Sequence, residues 1–110
     1  MQDSQLNKNE IGEFINVFKH YTKGKWVYPG AIHRVAKIPI VKVYEALDIM
    51  EKDGIVKSYF EVICSECKKT TSIIVHSIDE IPKEYFCDNC GYEGDAINNA
   101  VLIFKVVKDE

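Results

Sequence analysis

The chain has 110 residues, 46% of them hydrophobic and 28% charged, a balance that excludes intrinsic disorder and suits one ordinary domain or two very small ones. No apolar run approaches the ~20 residues of a membrane span, and the polar start Met1-Gln2-Asp3-Ser4-Gln5 lacks the features of a secretory signal, so a cytoplasmic location is expected. Net charge is −3, but residues 1 to 63 carry nine Lys and Arg against eight Asp and Glu, while residues 64 to 110 carry five against nine.

Ile11, Phe14, Ile15, Phe18 and Tyr21 recur at helical spacing, with Asn7 or Asn9 available as N-cap and Gly24 placed to end the segment; this predicts a first helix. Trp26-Val27-Tyr28 reads as a short strand closed by Pro29-Gly30. A short second helix is predicted over about 31–37, a turn at Ile38-Pro39, and a third helix over about 39–53 that buries Val43, Leu47 and Met50 and ends at Gly54. Residues 55–63 form a strand that runs directly into Cys64, and the β-branched stretch 70–76 should return antiparallel to it. Residues 84–86 lead into the second cysteine pair and 100–107 form the last strand, with irregular stretches at 77–83 and 91–99. The aromatics Phe14, Phe18, Trp26 and Tyr28 are expected in the core, since a small domain must bury such area to fold.

Cys64-Ser65-Glu66-Cys67 and Cys87-Asp88-Asn89-Cys90 are two Cys-x-x-Cys pairs with 19 residues between them. Each such turn points two sulfurs at one place, and two facing turns supply the tetrahedral set that Zn2+ prefers. One structural Zn2+ is therefore expected, because four protein ligands leave no position for water or substrate. Disulfides and a rubredoxin-like iron site are the rival readings. Gly91-Tyr92 suits an iron knuckle, whereas Lys68-Lys69 in the first knuckle lacks the usual glycine.

Between Lys19 and Tyr44 lie six cations (Lys19, Lys23, Lys25, Arg34, Lys37, Lys42) and no acid, a local basic patch of the kind that attracts phosphate. The run from Ala31 to Val56, with its Val43-Tyr44-x-x-Leu47 core and Gly54-Ile55 after it, resembles the helix-turn-helix and first wing strand of prokaryotic winged-helix regulators. Residues 9 to 63 carry this resemblance, and residues 60 to 107 resemble a zinc ribbon. The combination also looks like the archaeal general transcription factor E. The fold class these resemblances imply is α+β, with a winged-helix domain over 1–63 followed directly by a rubredoxin-like zinc ribbon over 64–110. The ribbon either replaces the wing or is inserted in it, with Val101 to Val107 as the returning strand.

The resemblance implies that the third helix enters the DNA major groove, with His33, Arg34, Lys37, Val41, Lys42 and Tyr44 as the exposed candidates and Arg34 and Lys42 foremost. Most of these contacts should go to phosphate. Pro39-Ile40-Val41 departs from the Ser or Thr usual at that helix start, which points to a protein-facing alternative. The functions expected are a DNA-binding transcriptional regulator acting on double-stranded DNA, or an adaptor that docks on RNA polymerase or another multi-component complex through the acidic ribbon. A rubredoxin-like electron carrier is the third. A homodimer through 11–21 or 101–107 is a further expectation. No Gly-rich phosphate loop or catalytic grouping stands in the sequence, so no enzymatic activity is expected.

Overall fold

Asn7 opens the first helix by a reciprocal exchange. Its side chain accepts from the Glu10 amide at 2.8 Å, and the Glu10 carboxylate accepts from the Asn7 amide at 3.0 Å, so two otherwise orphaned donors are satisfied. The computed structural model describes residues 6–108; the polar stretch from Met1 to Gln5 lies outside the described residues. In chain order the elements are α1 (Lys8–Phe18), β1 (Trp26–Val27), α2 (Pro29–Ala36), α3 (Ile40–Lys52), β2 (Val56–Ile63), β3 (Thr70–Val75), β4 (Glu84–Phe86), β5 (Glu93–Asp95) and β6 (Ala100–Val106). The mixture is α+β. One sheet has the strand order β1-β6-β2-β3, and β4 and β5 form a separate two-stranded ribbon. None of the helices among the described residues is long and apolar enough to cross a membrane.

The chain forms two compact units, one made of Met1–Lys57 with Phe104–Glu110 and the other of Ser58–Ile103. This differs from a simple division at residue 63. The cause is the last strand, whose end pairs antiparallel with β1 (Trp26↔Lys105, Val27↔Phe104) and exchanges backbone bonds with Gly24, Lys25 and Ile55. The chain leaves the first unit along β2 and returns to it along β6, so the cysteine-bearing unit is an insertion.

In the first unit, α1 ends at Phe18, short of Gly24, and tighter i→i−3 bonds from the His20 and Tyr21 amides close it. The helical spacing survives in the rings. Phe14 stacks on Phe18 and Phe18 on Tyr21 at centroid distances of 5.8 and 5.6 Å. Pro29 starts α2 instead of closing a strand, since a helix's first position needs neither a donor nor any φ but proline's. Val43 and Leu47 of α3 are buried with Phe14, Val27, Ile32, Ile38, Val56 and Phe104, Met50 is only half-buried, and Tyr28 is exposed. At the end of α3 the Gly54 amide reaches the Glu51 carbonyl and the Ile55 amide the Met50 carbonyl. Gly54 takes φ +79°, the left-handed step that this stop requires.

In the second unit β2 and β3 pair antiparallel (Phe60↔Val75, Glu61↔Ile74, Ile63↔Thr70) with a break in register between Glu61 and Ile63. Ser72, at φ +69°, lies in the extra length of β3, and the Thr71 hydroxyl bridges the break by donating to the Val62 carbonyl at 2.8 Å. Val62, Cys64, Tyr85, Cys87 and Ala96 form the core, with Ile73, Ile81 and Ala100 packed against it. The expected irregular stretch 91–99 contains β5. Glu-Gly-Asp has poor strand propensity, but Gly94 lies directly under two rings: a Cβ there would come within 2.8 Å of Tyr92 and 2.9 Å of the Tyr85 hydroxyl.

The Glu10 carboxyl is held below the ordinary glutamate range, first by the Asn7 amide and then by the Lys42 ammonium. Such a group stabilises the fold fully above its unfolded value and loses that contribution as pH falls through the lowered one. Glu10→Gln is expected to lower the urea midpoint at neutral pH and to flatten its fall on the acid side, measured across a pH series.

Candidate metal centre

Cys64 lies just past β2 and Cys87 just past β4, so the two strands deliver their first sulfurs fully buried, while Cys67 is half-buried and Cys90 exposed. All four sulfurs lie within 4.8 Å of one another. Cys64 Sγ is 3.6 Å from Cys90 Sγ, and Cys67 Sγ is 3.6 Å from Cys87 Sγ. A tetrahedron with metal–sulfur bonds of about 2.3 Å has edges of ~3.8 Å, whereas a disulfide bond is only about 2.0 Å long. The separations therefore suit four thiolates around one metal ion, and the cysteines are free thiols.

The two turns share one backbone design. In the first, the Cys64 amide donates to the Lys69 carbonyl and the Lys68 amide to the Cys64 carbonyl, both at 2.9 Å. In the second, the Cys87 amide donates to the Tyr92 carbonyl at 2.9 Å and the Gly91 amide to the Cys87 carbonyl at 2.7 Å. The equivalent residues Lys68 and Gly91 are both left-handed, at φ +65° and +80°. Glycine adopts that region freely; lysine does so at a cost.

Neighbours tie the turns together. The Tyr85 hydroxyl accepts from the Ser65 amide at 3.0 Å, linking the first turn to the strand that enters the second. Burial opposes ionisation of Cys64, but the Cys67 and Glu66 amides, with Cys90 and Tyr85, outweigh it and bring the thiol down to about 6. The Asn89 side chain, followed by the Lys69 amide, lowers Cys67. The Tyr92 amide favours a thiolate at Cys90, yet burial and the three adjacent sulfurs outweigh it and push that thiol up to about 12.

The other residues singled out from the sequence lie on α2, its turn and α3. Arg34, Lys37, Val41 and Tyr44 are exposed. The His33 ring is engaged at Nδ1 with the Ile38 carbonyl at 2.6 Å, which braces the turn. Lys42 is not a free cation: its Nζ lies 3.0 and 3.3 Å from the two Glu10 carboxylate oxygens, and both side chains are only 18% exposed. Glu10, Tyr85 and Asn89 were not expected at these positions. The Asn7-x-x-Glu10 capping pattern is visible in the sequence, but a partner 32 residues away from Glu10 is not.

If the left-handed turns limit stability as described, Lys68→Gly should raise and Gly91→Ala should lower the stability of the metal-loaded protein, each by about 1 kcal/mol. Thermal melts of the two variants are expected to shift in opposite directions. Comparison of the chain with protein-family models, with curated proteins and with solved structures finds no match.

Proposed function

We propose that the protein is a DNA-binding transcriptional regulator, with a winged helix-turn-helix in its first unit and a rubredoxin-like zinc ribbon in its second. The observation that carries this reading is the passage from α2 to α3. The helices are separated only by Lys37, Ile38 and Pro39, and the left-handed Lys37 at φ +59° takes the place that glycine often holds in a helix-turn-helix. Arg34 on α2, Lys37 in the turn, and Val41 and Tyr44 on α3 are all exposed. The cations supply phosphate contact, and the start of α3 supplies the surface that meets base edges.

One Zn2+ held by Cys64, Cys67, Cys87 and Cys90 is the metal this reading takes, in a structural role. Its support is the four-sulfur donor set and spacing, and in small zinc modules such an ion contributes roughly 10–16 kcal/mol of apparent binding free energy. Elemental analysis is expected to give one zinc per chain in a colourless protein; iron and a red colour would mark an electron carrier instead. Cys87→Ser is expected to lose the metal and the NMR dispersion of residues 58–103 while the far-UV helix signal persists. Retention of both metal and dispersion overturns the ligand assignment.

Docking on a protein is the second reading, favoured by a specific pair of observations. Glu10 neutralises Lys42, and the exposed start of α3 is apolar at Ile40 and Val41, the latter 58% exposed. A salt series with mixed-sequence duplex DNA separates the two. Wild-type affinity should fall steeply with salt, and the Arg34→Ala, Lys37→Gly double variant should make the log–log slope shallower by about 2. Glycine at position 37 suits the backbone there, so a loss of binding cannot come from strain. Absence of binding at low salt overturns the DNA reading in favour of docking.

A further inference from the structure

The β4–β5 ribbon has one covered and one open face. The pairing Tyr85↔Gly94 puts the buried Tyr85 on the core side. The flanking pairs Glu84↔Asp95 and Phe86↔Glu93 therefore share the opposite side. There Phe86 is 56% exposed, and Glu84, Glu93 and Asp95 are exposed around it. We infer that this face is a docking surface for a cationic segment of another protein, in which an Arg or Lys side chain stacks on Phe86 and its charge is met by Glu84, Glu93 and Asp95.

Charge complementarity selects that occupant. Residues 58–103 contain three lysines against eight Asp and Glu, a net −5, and a divalent metal on four thiolates makes the unit more negative still. Glu84 opposite Asp95 is a like-charge cross-strand pair, which weakens a ribbon rather than supporting it. Neither the Glu84 nor the Glu93 carboxylate has a hydrogen-bond or ion-pair partner among the described residues. Asp95 is fixed in place by the Ile97 amide at 3.1 Å and the Asn98 side chain at 2.6 Å, so its charge is presented at a defined position. An exposed aromatic on the same ribbon face as three acidic residues is complementary to a guanidinium or ammonium, which gains both ring stacking and ion pairing there. A neutral or acidic partner gains neither. This surface is separate from the turn between α2 and α3, so it stands or falls independently of the DNA reading.

The test uses the full-length zinc-loaded protein and a dye-labelled, end-blocked peptide of alternating Arg and Ala, followed by fluorescence anisotropy at low ionic strength. Saturable binding is expected. Phe86→Ala and Glu84→Gln with Glu93→Gln should each weaken it about tenfold, whereas Asp79→Asn, which removes a charge elsewhere in the same unit, should leave it within about twofold. Phe86→Leu should recover little, because it restores bulk without a ring. Metal content of one ion per chain in every variant excludes unfolding as the cause. Equal affinity in all variants, or no binding by the wild type, overturns the inference. Self-association at low salt that Phe86→Ala abolishes, without peptide binding, also overturns it and assigns the face to a second copy of the chain.

Discussion

Convergence of four sulfurs is the constraint on which the second unit depends. Four thiols within 4.8 Å of one another compete for ionisation, and the lowered Cys64 beside the raised Cys90 expresses that conflict. Everything around the site sets the positions of those sulfurs: the break in the β2–β3 register, the left-handed residues in both turns, and the hydroxyl of Tyr85 on the Ser65 amide. The apolar core beneath is small, with two of its five fully covered residues being cysteines themselves. A core of that size supplies little packing stabilisation of its own, and a metal held by the four sulfurs would add to it.

The first unit rests on different physics. Its helices are held by buried aliphatic and aromatic side chains, by caps at Asn7 and Gly54, and by one half-buried ion pair between α1 and α3. That pair changes the electrostatics of the surface, because it takes a charge from the stretch in which six cations stand without an acid in the local sequence. Local charge counts along a chain overstate a patch whenever a distant segment supplies the counter-ion.

Much of this was legible in the residues, for identifiable reasons. The clustering of the four cysteines was legible in their spacing, since Cys-x-x-Cys is short enough for backbone geometry alone to aim both sulfurs. The α3 face of Val43 and Leu47 and the stop at Gly54 followed from periodicity and from the one residue that tolerates a left-handed step. Harder to see were features fixed by tertiary contact. Strand β5 exists because Gly94 fits beneath Tyr85 and Tyr92, and α1 stops at Phe18 although its aromatic spacing continues to Tyr21. The role of Lys42 depended on Glu10, far away in the chain, and the division into units depended on where the last strand's partner lay.

That last dependence has a consequence for biosynthesis. Trp26 and Val27 find their ladder partners in Lys105 and Phe104, so the first unit cannot complete its sheet until the chain through residue 105 has emerged from a ribosome. The inserted unit, whose cysteines and strands lie between residues 58 and 103, has all its own parts available earlier. The inserted unit can therefore mature before the two segments that flank it in the chain are joined.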